Sequence, residues 1–395
     1  MINLLIILII ACSFFIFYSY LLYPIVLNLL VKNKQFNHLQ YHNTDTLPTI
    51  SILFSALNEE NIIEKKIHSL FNTSYPLDKL QVYVGSDQST DNTDEILKRL
   101  TTQYPSLHTF FFDTRRGKAN VLNEIKKHIP SSTDVIILTD ANVIFTPTTL
   151  FHLAKHFKDP SIGQVGANII NEFDKNKAIA QQESFYIQRE NHIKYLEGLY
   201  DGSMIGAFGA CYAIRKDLLI EFESTYLMED FYLSLAVLEK KFKAILDKEA
   251  ICYEDLPGNI EEEYKRKKRI SAGNYQNMMA YPSLFFNVFT KVGFCYWSHK
   301  ILRWATPFFL IIILVCILSL YILNFLPTFL ITSIIALSVF FWVIDIIMEK
   351  AHKQIVILRF ARYFILMNLA MLQGFFMYLK GIKTNVWTPT KRENN

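Results

Sequence analysis

The first thirty residues restrict the architecture of this chain more than any other segment. Residues 2–31 are almost entirely apolar, and the first charged side chain is Lys32. The run exceeds the roughly 20 residues that a helix needs to cross a bilayer. A cleaved signal peptide would have a basic start and a small-residue cleavage site, and neither is clear here. We therefore predict an uncleaved transmembrane anchor over residues 1–31. Lys32 and Lys34 directly after it favour a cytoplasmic position for the next part of the chain.

A second apolar region, residues 301–380, is predicted to return to the membrane as two or three helices. The candidate spans are 301–323, 326–348 and 355–380. The third contains two arginines, so it fits a span least well. Residues 283–299 are rich in aromatic residues and nearly uncharged, which is typical of a helix in the membrane interface.

The composition agrees with a soluble domain combined with membrane segments, and we predict a multi-pass protein of the cell inner (cytoplasmic) membrane, in contact with membrane lipids. Hydrophobic residues make up 51% of the chain, which is high for a soluble protein. The net charge of +4 gives no indication of nucleic-acid binding. The five cysteines form neither a close pair nor a cluster at zinc spacing, so we predict no disulfide framework and no structural zinc site.

Residues 48–280 have a different character and predict one cytoplasmic α/β domain. Short apolar runs such as "TISILFSAL", "LQVYVGS" and "DVIILTDAN" alternate with charged, helix-like stretches such as "TDEILKRLTTQY". This alternation indicates a mostly parallel sheet covered by helices.

Polar side chains follow three of the predicted strands at the points where the strands end. Asn58 and Glu59 follow the first strand, Asp87 the second, and Asp140 and Asn142 the buried run "VIILT". Each alone could be a turn or a helix start. Together they would repel one another unless a cation lies among them. Because carboxylate and amide oxygens suit hard cations, we predict a site for Mg²⁺ or Mn²⁺ with a phosphorylated ligand.

A basic turn adds to this interpretation. Residues 114–118, "TRRGK", precede a helix-like stretch after the third strand. Exposed basic residues at a helix start usually only interact with water. Here they would project over the acidic strand ends, where an anionic ligand would need them.

The ordered motifs "ALNEE", "SDQSTDNT", "RRGKANVLNEI", "TDAN", "GACYAIRKD", "MEDFYLS" and "KRKKRISAGNYQ" resemble those of membrane-embedded family-2 glycosyltransferases. Relatives of this kind include the poly-N-acetylglucosamine, hyaluronan, cellulose and chitin synthases. The resemblance covers roughly residues 48–280. It implies a nucleotide-diphospho-sugar transferase domain of glycosyltransferase A type. It also implies a nucleotide-sugar donor, most readily a UDP-sugar, a divalent metal and an inverting hexosyl transfer.

The resemblance also implies roles for individual residues. By position, Asp230 matches the general base that deprotonates the acceptor hydroxyl, and Glu229 beside it would shape the acceptor site. Asp140 and Asn142 occupy the place of the metal-binding Asp-x-Asp motif. The remaining roles are donor binding by Asn58, Glu59, Asp87, Lys118 and Arg269, and acceptor binding by Gly209, Ala210 and Cys211.

Two departures from the family pattern leave alternatives open. Asn142 stands where the second metal-binding Asp is usual, and a neutral amide ligates a metal more weakly. Residues 266–270, "RKKRI", stand for a Gln-x-x-Arg-Trp motif and lack the Trp on which processive relatives stack the acceptor sugar. The acceptor could therefore be a growing polysaccharide, with accessory export subunits as partners, or a lipid that receives one sugar. A remote alternative is a non-catalytic membrane subunit of a polysaccharide export system.

Overall fold

The computed structural model describes residues 1–172, 178–223, 225–255, 260–350 and 356–382. Eight strands form a single sheet in the order β3-β2-β1-β4-β7-β6-β8-β5. Their bounds are β1 Ile50–Ala56, β2 Leu80–Asp87, β3 Leu107–Phe112, β4 Val135–Thr139, β5 Ile144–Phe145, β6 Ile162–Glu172, β7 Cys211–Arg215 and β8 Lys243–Asp255.

The sheet is mixed, with a parallel half and two reversed strands, β7 and β5. Strands β3, β2, β1 and β4 run parallel to one another, whereas β7 is antiparallel to both β4 and β6. Strands β6 and β8 are parallel, and β5 closes the edge antiparallel to β8. The antiparallel β4–β7 pair places Thr139 opposite Cys211. The end of β4 therefore lies beside the start of β7.

The helices are α1 Ile2–Phe17, α2 Tyr23–Leu30, α3 Ile63–Phe71, α4 Thr93–Gln103, α5 Lys118–Ile125, α6 Thr149–Ala154, α7 Ala178–Asp201, α8 Glu229–Glu239, α9 Ile260–Ala280, α10 Pro282–Phe286, α11 Lys291–Tyr296, α12 Leu302–Ile322, α13 Thr328–Lys350 and α14 Val356–Leu379. Short π-helical turns join α1 to α2 and α11 to α12.

Helices cover both faces of the sheet. Alternate side chains of β1 point to opposite faces, so Ile52 and Phe54 join the core under α3 and α4, whereas Leu53 joins the core under α5 and α8. In α3, Ile63, Ile67 and Leu70 repeat at helical spacing and are all fully buried. The predicted α/β fold with a mostly parallel sheet is confirmed.

Three described helical segments are long and apolar enough to cross a membrane: Ile2–Leu30, Lys291–Ile322 and Leu358–Leu379. The ring of Phe289, which precedes the second of them, is fully exposed, and that of Phe286 is 75% exposed. Residues 283–299 form α10, a turn and the start of the second segment rather than one helix.

These apolar segments also contact the α/β domain. Tyr23 on α2 donates a hydrogen bond to Glu197 on α7, with an O–O distance of 2.8 Å. On the other side, α9 packs against α14, and Ser271 donates to the carbonyl of Met371 at 2.8 Å. His299 on the second segment also contacts Glu197, at 2.7 Å, so all three apolar segments contribute directly to the support of the domain.

Candidate active site

Nearly all the residues singled out from the sequence line one cavity of about 1200 Å³ at the carboxyl ends of the parallel strands. The cavity contains Glu59, Asp87, Lys118, Asp140, Asn142, Gly209, Ala210, Glu229, Asp230 and Arg269. Asn58 and Cys211 do not line it. Their roles, like those of the other residues, stay predictions.

Lys118 lies between two carboxylates at the centre of this cavity. Its ammonium nitrogen is 2.6 Å from Asp140 Oδ1 and 2.7 Å from Glu229 Oε1. Burial would lower the pKa of Lys118, but the adjacent carboxylates of Asp140 and Glu229 together raise it above its usual value. The site therefore holds a permanent positive charge where the basic turn was expected to project.

The position of Lys118 depends on Asp87. Both carboxylate oxygens of Asp87 accept hydrogen bonds from the loop before α5: from the amide of Arg116 at 2.6 Å, the amide of Gly117 at 2.9 Å and Arg115 Nε at 3.2 Å. Gly117 has φ +82°, which residues with a side chain rarely adopt. Asp87 therefore fixes this loop, in addition to any contact with a ligand.

The strand pairing brings Asp140 against the predicted acceptor segment. The Asp140 amide donates to the Ala210 carbonyl at 3.1 Å, and the Thr139 hydroxyl donates to the same oxygen at 2.7 Å. Two residues further on, Asn142 is 3% exposed, and neither of its side-chain polar atoms has a hydrogen-bond partner among the described residues. A buried amide without partners is costly, which indicates that a ligand belongs there.

Asp230 is buried at the start of α8, next to Gly209. A Cβ atom at Gly209 would lie 2.7 Å from Asp230 Oδ2, so only glycine allows this approach. Burial, together with the adjacent Glu229 carboxylate, raises the pKa of Asp230 to about 6, and Lys118 opposes the shift. Asp230 is thus ionised at neutral pH but more basic than an ordinary aspartate, as a general base requires.

Helix α9 packs on the segment that precedes α8 and forms one wall of the site. Asn277 donates to the Met228 carbonyl at 3.0 Å, and Gln276 accepts from the Leu227 amide at 3.2 Å. Arg269 on the same helix is close enough to Glu229, Asp140 and Asp230 for its charge to interact with their carboxylates. The loop that carries Asn58 is fixed differently, because Asn58 Oδ1 accepts from the Thr90 amide at 2.8 Å.

Sequence reasoning missed Lys66, which lies beneath the Asp140–Asn142 turn. Lys66 is fully buried on α3 and donates to the Thr139 hydroxyl at 3.0 Å and to the Val143 carbonyl at 2.6 Å. It thereby joins the two ends of the turn. Burial lowers the pKa of Lys66 to about 8. The sequence did contain a sign that Lys66 is buried, because it lies in the apolar stripe of α3, between Ile63 and Ile67.

Residues 51–222 match the family model described as glycosyl transferase family 2. This segment, which makes up less than half of the chain, is similar to the glycosyl transferase family 2 domain. This confirms the family that the motifs indicated, whereas the likeness to polymer synthases in particular stays a prediction.

Several known proteins are similar to parts of this chain. The β-monoglucosyldiacylglycerol synthase of Nostoc sp. (strain PCC 7120) is 31% identical over 131 residues, which are 32% of this chain and 27% of the synthase. The probable glycosyltransferase YdaM of Bacillus subtilis is 23% identical over 63% of this chain and 60% of its own length. The chain thus spans about a quarter of the length of the glucosyldiacylglycerol synthases that it matches.

Among solved structures, the mannosyltransferase PcManGT from Pyrobaculum calidifontis, in complex with GDP-Man and Mn²⁺, superposes with a TM-score of 0.68 and 21% identity. The superposition covers 95% of this chain and 99% of the mannosyltransferase. The two proteins therefore share a fold that includes the regions on either side of the glycosyl transferase family 2 domain.

Proposed function

We propose that this chain is an inverting glycosyltransferase that moves a hexose from a nucleotide-sugar donor, a UDP-sugar in the first instance, to a hydroxyl group presented at the membrane. The observation that carries the proposal is the position of Lys118 between Asp140 and Glu229, next to the buried Asp230. Lys118 offers positive charge for a diphosphate, and Asp230 in the same cavity offers a base.

Asp230 and Lys118 would act on opposite sides of the transferred sugar. Asp230, with its pKa raised to about 6, accepts the proton of the acceptor hydroxyl as the new bond to the anomeric carbon forms. Gly209 leaves room for the acceptor against that carboxylate. Lys118 and Arg269 face the negative charge that develops on the departing diphosphate. Attack opposite the leaving group inverts the configuration.

The residues present fit a divalent cation. Asp140 is one-third exposed in the cavity, and Asn142 has a buried amide oxygen without a described partner, so both offer hard oxygen ligands. Asp140 and Asn142 would hold Mg²⁺ or Mn²⁺, which supplies charge stabilisation of the diphosphate when bound. The complex of PcManGT with GDP-Man and Mn²⁺ supports this assignment through the shared fold. We place the domain on the cytoplasmic side of the membrane, where nucleotide sugars are available.

The test is a donor screen. Purified, detergent-solubilised protein is incubated with Mn²⁺ or Mg²⁺ and a panel of UDP- and GDP-sugars, with and without a membrane-lipid extract, and nucleotide release is measured. We expect release from one donor, dependent on the metal and abolished by Asp140→Ala. Release that Asp140→Ala leaves unchanged, or no release from any donor in either condition, would contradict the proposal.

A further inference from the structure

The cavity does not end at the candidate active site. Beyond Asp230 and Gly209 it continues between α7 and the apolar segments, where its wall changes to aromatic, aliphatic and cationic side chains. This extension is lined by Tyr20, Arg189, Lys194, Arg303, Phe364 and Met367. A ligand could thus reach Asp230 from the membrane side without leaving the protein.

Two cations in the extension have hydrogen-bond donors that no described carboxylate accepts from. Arg303 is 8% exposed, and its Nη1 pairs with Glu190, but its Nη2 has no partner among the described residues. Lys194 is 4% exposed, no hydrogen bond or ion pair joins it to a described residue, and burial together with Lys300 lowers its pKa to about 7. Buried charged donors are rarely left in this state, because their desolvation is then uncompensated.

The carboxylates nearby are already engaged. Glu190 is paired with Lys300 at 3.0 Å as well as with Arg303 and His299. Glu197 accepts from Tyr23, from His299 and from the Ile205 amide. The extension therefore has more positive than negative charge, and an anionic group would complete it.

Lys194 also connects this cationic end to the predicted base. Its ammonium nitrogen lies 3.2 Å from the ring centroid of Phe208, and the next residue, Gly209, packs on Asp230. A ligand that contacts Lys194 would therefore be close to the acceptor position. Its hydroxyl could reach Asp230 while its anionic group contacts Lys194 and Arg303.

We propose that the acceptor is a phospholipid with a free hydroxyl in its headgroup. This proposal rests on the proposed function. The phosphate binds Lys194 and Arg303, and the chains lie along the Phe364 and Met367 side of α14. In the transfer, the headgroup oxygen forms a bond to the anomeric carbon and its proton passes to Asp230. The bond from the anomeric carbon to the diphosphate breaks, and the diphosphate leaves with the electron pair.

The experiment compares matched lipids on the full-length, detergent-solubilised protein. Binding of dimyristoylphosphatidylglycerol and of dimyristoylglycerol is titrated by native mass spectrometry. These lipids share their chains and a free hydroxyl but differ in the phosphate. We expect the phosphate-bearing lipid to bind at least tenfold more tightly, and Lys194→Met and Arg303→Gln each to remove most of that preference. The exposed Lys291, 3.0 Å from Asp201, supplies the control variant Lys291→Gln, which should retain it.

Several outcomes would overturn the proposal. Equal affinity for the two lipids is one, and a preference that Lys194→Met leaves intact is another. Binding of free glycerol 3-phosphate as tight as that of the phospholipid would assign the site to a soluble phosphate. Because Arg303 also pairs with Glu190 and its replacement could disturb folding, Lys194→Met is the deciding variant.

Lipid binding is measured without a donor, so this result is separate from the proposed function. Binding of UDP and GDP with Mn²⁺ to the same preparation tests the donor site. Loss of lipid selectivity with nucleotide binding retained would refute only the acceptor assignment.

Discussion

At the scale of single residues, the site combines charges that the fold keeps in costly states. Asp230 is a buried carboxylate whose ionisation is opposed by burial and by Glu229, and supported by Lys118 and Lys194. Such residues usually reduce stability in exchange for function. Substitution of Asp230, and of the buried Lys66 below the strand ends, should therefore separate stability from activity.

Asp230→Asn should abolish transfer and stabilise the fold in a pH-dependent manner. The folded-state pKa of Asp230, about 6, lies above the usual value of an aspartate, so the native fold favours the protonated carboxyl. The free-energy cost of ionising Asp230 in the folded protein is absent below about pH 4 and complete above about pH 7, where it is on the order of 3 kcal/mol. Thermal unfolding at pH 4 and pH 8 should show a raised Tm for the variant only at pH 8. A Tm that rises equally at both pH values would refute the shifted pKa.

Lys66→Met should weaken the binding of metal and nucleotide by roughly 10- to 100-fold, the usual effect of removing a residue that orients a ligand. The variant loses the link between Thr139 and Val143 that fixes the Asp140–Asn142 turn. Its neighbour Lys65 is exposed, so Lys65→Met is the matched control. Titration of Mn²⁺ and UDP by calorimetry measures the effect. Equal affinities in the two variants would mean that Lys66 only fills space.

At the scale of elements, the start of α5 is the junction at which we expect a substitution to disturb the site most. The loop that carries Lys118 into the cavity is held by Asp87 and turns at Gly117 with φ +82°. A side chain at this φ costs roughly 1–3 kcal/mol of backbone strain. The strain would act directly on the residue that presents charge to the diphosphate.

Gly117→Ala should therefore reduce both stability and transfer. Gly381 supplies a control with nearly the same φ, +83°, and nothing within 4 Å of an added Cβ. Gly381→Ala should cost similar stability but leave activity unchanged. The comparison is made on kcat/KM for the donor together with the Tm of each variant. Equal activity in the two variants would mean that the position of Lys118 does not affect sugar transfer.

At the scale of the whole molecule, the α/β domain depends on the apolar segments around it. Helix α9 carries Arg269 and packs along α14, where a Cβ at Gly374 would lie 2.5 Å from the Ser271 side chain. On the other side, Tyr23 and His299 contact the buried Glu197. The active site is thus held between two regions that are far apart in the chain.

Residues 48–280 expressed alone should accordingly aggregate or fail to bind nucleotide. The excised segment would expose the α9 surface that covers α14 and leave Glu197 without Tyr23 and His299. Size-exclusion chromatography of this segment and of the full chain in the same detergent measures the difference. A monodisperse segment that binds UDP with Mn²⁺ as the full chain does would show that the domain is autonomous.

The sequence by itself determined the class of fold and most residues of the candidate site. Strands and helices follow from local periodicity, and the polar residues that end parallel strands must meet at one edge of a sheet. The tertiary structure decided what lies between them. The reversed strand β7 brings Ala210 to Asp140, and α8 brings Asp230 to Gly209. These approaches, like the burial of Lys66 and Lys194, depend on long-range pairing and on charges taken out of water, which local sequence patterns do not encode.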